Sequence, residues 1–273
     1  MADAAEWYGQ PEFNDLKDSP DYPLAVSSQD IPNNGNAPTV IFTEACYGAY
    51  IDGKNEDQAL SLKFISTGAK ALVGSTCVSY GSVSAPLIGA DQLASYFWKL
   101  VKVGTPVGEA VRNSKVMMAQ EMTRRQGFLD GEDQKTLISF VLYGDPLVAI
   151  LHNKKSSKAI RRERIKEPVL TVCESEEESL DPSEVNSDAM SHVKLIVEQY
   201  LPGLKDANFS MSKQYASQSQ ATELFSKSSH PLMEKRTVVT VSKEYKVARK
   251  QHFHYARLTI DQKGKVIKLA VSR

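Results

Sequence analysis

Short apolar runs alternate with helical spacings through the first half of the chain. Residues 3–37 hold Pro11, Pro20, Pro23 and Pro32 among Asn and Asp without sustained periodicity, and read as irregular surface chain leading into a first strand. The regular fold starts near Pro38, and Thr39 to Gly48 is a short apolar run that breaks off at Ala45-Cys46. Asp57 to Gly68 then places Leu60, Phe64 and Ile65 on one side of a helix, with Gly68 at a cap position. Ala69 to Thr76 is short and apolar, as expected of a strand buried on both faces of a parallel sheet. Strand, helix and strand make a βαβ unit whose crossover returns the strands in one direction. The strand ends near Cys46 and Cys77 therefore fall on one sheet edge, and the two thiols are candidate neighbours.

Further along, Asp91 to Val103 turns Leu93, Tyr96, Phe97 and Leu100 to one face and ends at Gly104. Thr105 as cap, Pro106 at the first helical position and Glu109 at the positive helix end predict another helix, running to Met122. Glu132 to Leu142 has helical spacing, Tyr143 to Pro146 reads as a turn, and Leu147 to Leu151 as the last strand before His152. Lys154 to Lys166 is strongly basic, and Glu174 to Asp188 is acidic and Ser-rich, which predicts a linker. Beyond it, Asp188 to Tyr200 reads as a helix stopped by Leu201-Pro202-Gly203. Val238 to Val247, His252 to Ile260 and Val266 to Val271 alternate as strands, the last two flanking a hairpin turn at Asp261 to Gly264. The expected architecture is an α/β domain over 1–152 with a mostly parallel sheet and flanking helices, a charged linker over 153–187, and a small α+β domain over 188–273.

Composition narrows the class. With 41% hydrophobic and 24% charged residues among 273, the chain reads as globular, and no apolar run approaches the ~18 residues of a membrane span. Met1 to Glu12 lack the basic start and apolar stretch of a secretory signal, so the sequence assigns no compartment. Three cysteines, at 46, 77 and 173, are too few and too widely spaced for a disulfide framework or a zinc cluster. Lys and Arg equal Asp and Glu at 33 each, yet residues 1–151 hold 11 basic against 18 acidic side chains, leaving 22 against 15 for the rest. That asymmetry favours two parts that attract one another. Aromatics are not interleaved with the basic run, which is read as solvated charge, and no glycine loop has phosphate-cradling spacing, so no nucleic-acid partner is expected.

The candidate chemistry centres on Cys46, where the run from Thr39 breaks off at Glu44-Ala45-Cys46-Tyr47-Gly48. Open α/β sheets do their chemistry outside the carboxyl ends of their strands. Two readings stand: a thiol packed at a strand end, or a nucleophile needing a base and amide donors for the oxyanion, the Cys46 amide among them. Cys77 reads either as a small core residue or as a redox partner of Cys46. Glu44 is either buried and hydrogen-bonded or close to the cleft, and Asp145 is a turn residue. His252 and His254 share a strand face, which reads as an exposed polar face rather than a metal site lacking its third ligand.

Taken in order, Cys46, the helix after it, Val73-Gly-Ser-Thr-Cys-Val-Ser-Tyr-Gly81 and Leu142-Tyr-Gly-Asp-Pro146 resemble the gingipain family of cysteine peptidases. The resemblance covers roughly Trp7 to Leu151 and extends more loosely to the caspase-like superfamily, through the caspase pattern Gln-Ala-Cys-x-Gly. It implies a caspase-haemoglobinase type of α/β fold, Cys46 as the catalytic nucleophile, and a substrate-binding pocket lined by Cys77, Ser79, Tyr80 and Gly81. It also implies a polypeptide substrate and no metal or organic cofactor. The family's base is a histidine in a His-Gly pair ahead of the cysteine, often leading into Trp-Tyr-Gly. Here Trp7-Tyr8-Gly9 stands almost at the start, and all five histidines, at 152, 192, 230, 252 and 254, follow Cys46. The expectation is that this chain is the carboxyl-terminal part of a longer peptidase, that its partner is the amino-terminal part of its own peptidase domain, and that alone it is inactive. A degenerate, non-catalytic homologue that still binds peptides is the alternative.

Overall fold

A computed structural model of the chain describes residues 4–9, 23–150, 172–176, 187–204, 206–217, 235–247 and 250–272. The first strands are β1 (Glu6–Tyr8) and β2 (Leu24–Ser27), paired antiparallel and followed by a 3-10 turn, Ser28–Asp30. This ribbon corrects the reading of residues 3–37 as wholly irregular. Strands of three and four residues are too short for alternation to stand out.

The predicted βαβ unit is present. β3 (Val40–Phe42), α1 (Leu60–Ser66) and β4 (Ala71–Ser75) follow in order, with β3 parallel to β4. α1 starts at Leu60 rather than Asp57 because Asn55 to Gln58 closes a turn of its own, Gln58 N–H donating to the Asn55 carbonyl at 3.1 Å. β5 (Tyr80–Ser82), α2 (Gly89–Val101), α3 (Val107–Gln126), α4 (Gly131–Ser139) and β6 (Phe140–Gly144) come next.

Phe140 to Gly144 forms the strand, antiparallel to β4, whereas residues 147–150 of the stretch expected as a strand form none and Leu151 lies outside the described residues. Residues 146–148 have other work: the Pro146 and Val148 carbonyls accept from Gly108 N–H (2.9 Å) and Val107 N–H (2.8 Å). Those bonds satisfy amides that every helix start leaves open, so α3 begins after Pro106 at its N-cap with no side-chain cap, and Thr105 does not fill that role.

The remaining elements are β7 (Val172–Glu176), α5 (Ser187–Tyr200), β8 (Asn208–Ser217), β9 (Lys235–Val247), β10 (Lys250–Ile260) and β11 (Val266–Ser272). The Asp261–Gly264 hairpin joins β10 to β11 as expected. β7 lies inside the stretch expected as linker and pairs with β8; the basic run at 154–166 and residues 177–186 lie outside the described residues. Helices and mixed-direction sheets together agree with the α/β class, but the expected mostly parallel sheet is corrected: among the described strands only β3 and β4 pair parallel. One sheet runs β3-β4-β6, and the other runs β5-β11-β10-β9-β8-β7.

That second order ties the two ends of the chain together, because β5 follows β4 within a few residues yet pairs with β11. One apolar core joins Val40, Val73, Phe97, Met118 and Phe140 to Ala270 of β11, with Tyr255 of β10 packed against it. Fully burying side chains such as Phe97 and Phe140 contributes about 1.5–3 kcal/mol each. A second core lies between α5 and the other face of the tail sheet, with Val193, Val197, Val241, Ala256 and Leu258. Among the described residues no helix is long and apolar enough to cross a membrane.

Candidate active site

The chain leaving β3 stays zipped to the chain leaving β4. Thr43 N–H donates to the Val73 carbonyl (2.9 Å), Ala49 N–H to Ser75 (2.9 Å) and Tyr47 N–H to Cys77 (3.0 Å). Between these bonds, residues 45–48 make a tight turn: Ala45 N–H donates to Thr43 Oγ1 at 3.2 Å and Gly48 N–H to the Ala45 carbonyl at 3.0 Å. Tyr47 takes the left-handed conformation with φ 57°, uncommon for a bulky residue. Glycine is required at two places beside this turn. A β-carbon on Gly48 would lie 2.8 Å from Thr43 Cγ2, and one on Gly74 would lie 2.5 Å from the same atom. Tyr143, on β6, braces the turn from below through its hydroxyl, which donates to the Ala49 carbonyl at 2.9 Å.

The turn carries Cys46 to a buried position, 6% exposed. Its sulfur sits against Ser79, accepting from the Ser79 N–H at 3.3 Å and donating to the Ser79 carbonyl at 3.5 Å. The structure thus brings Cys46 and Ser79 together, with Tyr80 and Gly81 next in line on β5. Cys77 comes to the same sheet edge through the Tyr47–Cys77 backbone bond. Its sulfur is directed to the Val78 carbonyl at 3.7 Å and lies 4.0 Å from Ser75 Oγ. Neither thiol is in a disulfide. Cys173 falls within β7.

Burial raises the Tyr47 phenol above its usual range, and charge on Cys46, Cys77 and Tyr255 acts in the same direction. Tyr80 is pushed up to about 12, chiefly by burial; Arg257 opposes the rise while Glu132 and Cys46 add to it. Both rings are neutral hydrogen-bonding groups near neutral pH, and Lys135 Nζ lies over the Tyr80 ring at 5.3 Å.

A buried ionic cluster under β5 escaped the sequence reading. At the start of α4, Asp130 caps the helix by accepting from Asp133 N–H at 3.0 Å. Lys268 of β11 reaches both carboxylates, at 2.6 Å and 3.0 Å, and Arg257 of β10 pairs with Glu132 at 2.7 Å. Burial raises Asp133 to about 7, against the pull of Lys268. Burial works on Asp130 in the same sense, but the charge and hydrogen bond of Lys268 bring it down to about 2. The charge imbalance between the halves is realised locally in these contacts. Asp130-Gly-Glu-Asp133 is readable as a helix start; its cation, on a strand far downstream, is not.

His252 is buried rather than exposed, with its ring edge on Tyr8 at 5.0 Å, which corrects the expected polar face. His254 packs against the Tyr245 ring, and His192 is exposed on α5. His152 and His230 lie outside the described residues. Asp145 is a turn residue, its Oδ1 accepting from Leu147 N–H at 2.8 Å, and Glu44 is half-buried. Among the described residues no group of three His, Cys, Asp or Glu is placed to hold a metal ion.

Neither the curated proteins nor the solved structures contain a match to this chain. The family model of peptidase family C25 matches residues 15–151, just over half of the chain, and spans Cys46, the Ser79 clasp and β6. The chain belongs to peptidase family C25, the gingipain family of cysteine peptidases.

Proposed function

We propose that the chain carries the nucleophile of a cysteine endopeptidase, with Cys46 attacking the scissile carbonyl and a histidine from outside these residues completing a Cys-His dyad. The observation that supports this best is the presentation of Cys46 on a glycine-dependent turn at the end of β3, its sulfur held by main-chain groups of Ser79. The histidine takes the thiol proton, and the thiolate forms a carbon–sulfur bond with the carbonyl carbon. The resulting oxyanion is held by the Cys46 amide in this reading, since Ala45, Tyr47 and Gly48 donate their N–H groups within the protein. Collapse breaks the carbon–nitrogen bond, the histidine returns the proton to the leaving amine, and water then releases the acyl group and regenerates the thiol. No metal or organic cofactor enters these steps. Ser79, Tyr80 and Gly81, with Cys77 beside them, line the substrate side in this reading. The domain division follows from the same reading: a caspase-haemoglobinase-like peptidase domain over 1–152, a linker over 153–187 and a small α+β domain over 188–273, with β7 lending a strand to the latter's sheet.

The competing function is a caspase-like peptide-binding scaffold without catalysis, favoured by the burial of Cys46. A panel of peptidyl acyloxymethyl ketones tests the two. The chain joined to its upstream coding segment is expected to be modified at Cys46 within minutes and not at all after Cys46→Ala. Modification no faster than that of a free model thiol sinks the peptidase reading and leaves the scaffold.

A further inference from the structure

β5 is three residues long and both of its edges are occupied. On one side, Ser82 N–H donates to Asp91 Oδ2 at 2.7 Å. On that side too, Gly89 packs so near Tyr80 that a β-carbon there would fall 2.2 Å from the Tyr80 carbonyl oxygen. The first turn of α2 seals that edge. Main-chain groups of an extended strand alternate between its two edges. With those of Tyr80 and Ser82 turned to α2, those of Gly81 turn to Val271, its register partner on β11. Ser79, two residues before Gly81, shares this second edge, and its N–H and carbonyl hold Cys46 Sγ. The edge that leads to the thiol is the one β11 covers, and Cys46 is 6% exposed.

An extended peptide binds a strand edge through main-chain hydrogen bonds while pockets read alternate side chains. Here the chain's own Val271 already holds the position opposite Gly81. We propose that the end of β11 is an intramolecular occupant of the peptide-binding edge of β5, a closing strand that an extended polypeptide displaces in antiparallel register; the identity of that polypeptide as substrate rests on the peptidase reading of Cys46. The geometry suits exchange. β11 meets β5 only over Ala270–Ser272, whereas β10 and β9 pair from Lys250 to Ile260. Lys268 pins the start of β11 to α4 through Asp130 and Asp133, so release is confined to Leu269–Ser272. Release undoes the pairs of Leu269–Val271 with Ala256–Leu258, while Thr259–Lys268, Ile260–Val266 and the whole β9–β10 pairing keep the tail sheet together.

The test uses the full chain and iodoacetamide, which needs access to a thiol and no catalytic machinery. Val271→Pro removes the N–H that faces Gly81 and spares the bonds to β10, while Val271→Ala shortens the side chain and keeps the N–H. Alkylation of Cys46, followed by peptide mapping, is expected to be about tenfold faster in Val271→Pro than in the natural chain or Val271→Ala, with Cys77 changing by less than about twofold. A folded Val271→Pro that alkylates at the natural rate overturns the proposal. Should that variant not fold, hydrogen exchange on the natural chain decides: the Gly81 and Val271 amides are expected to exchange at least about tenfold faster than those of Val239 and Leu258, and equal protection overturns it. A peptidyl acyloxymethyl ketone that fails to modify an accessible Cys46 in Val271→Pro counts against the nucleophile, not against the closing strand.

Discussion

Ser79 holds the sulfur of Cys46 with main-chain groups alone, its N–H 3.3 Å from Sγ and its carbonyl oxygen 3.5 Å away. Its side chain is idle in this: Ser79 Oγ is buried without a hydrogen-bond partner among the described residues. A buried hydroxyl left unsatisfied costs about 1–3 kcal/mol of lost hydration. Ser79→Ala is expected to stabilise the protein by about 1 kcal/mol in urea denaturation and to leave the Cys46 alkylation rate unchanged. A less stable Ser79→Ala would show that the hydroxyl has a partner in solution.

Gly74 controls the same thiol from the neighbouring strand. A β-carbon there meets Thr43 Cγ2 at 2.5 Å and Ala49 Cβ at 3.2 Å, and Thr43 Oγ1 anchors the turn through Ala45 N–H. Gly74→Ala is expected to cost about 1–3 kcal/mol and to alter Cys46 alkylation by moving the turn. Thr43→Ser deletes Cγ2 and keeps Oγ1, so combining it with Gly74→Ala should restore most of the lost stability. Absence of rescue, read from urea midpoints of the single and double variants, would place the strain at Ala49 instead.

What the sequence makes legible is local. β3, α1 and β4 read correctly because their apolar runs and Gly68 lie within one βαβ unit, and the hairpin after Ile260 reads from Asp261-Gln-Lys-Gly264. The place of Cys46 after a strand end also reads from the sequence, and it lies on the turn that follows β3. The misreadings share a physical cause, namely partners remote in sequence. Leu147 to Leu151 reads as a strand, but the carbonyls of Pro146 and Val148 serve the first amides of α3. β5 is too short for any periodicity, and its partner β11 lies at the far end of the chain. Lys268 alternates like a solvent-facing strand residue, yet it is buried because two carboxylates from α4 receive it.

Lys268 therefore carries more weight than its sequence position implies. Its side chain is 7% exposed, and those of Asp130 and Asp133 are 1% and 0% exposed. Removing one member of a buried ionic group leaves the others uncompensated, at a cost of about 3–5 kcal/mol. Lys268→Met is expected to lose about that much stability, whereas the same change combined with Asp130→Asn and Asp133→Asn is expected to lose less, because no charge is stranded. Equal midpoints for the single and triple variants in urea would show that packing, not charge, sets the cost.

The cluster also gives stability a pH dependence of definite sign. Asp130 and Asp133 share Lys268 and titrate as a pair, with steps at about 2 and about 7. The raised step means that the folded state binds a proton more tightly than the unfolded chain, whose carboxyl titrates near 3.8. Its contribution is complete below that value and is lost as pH rises through about 7. Glu132, raised first by burial and then by Asp130, acts in the same sense. The depressed step runs the other way: its contribution is present above 3.8 and is lost as pH falls towards about 2. Together they place greatest stability near pH 4, so the melting temperature is expected to rise by a few degrees from about pH 8 to pH 5.5 and to fall below about pH 3. In Asp133→Asn the rise between pH 8 and pH 5.5 should shrink, since the group that gains the proton is gone. A rise of undiminished size in that variant, followed by differential scanning calorimetry across the range, would assign the effect elsewhere.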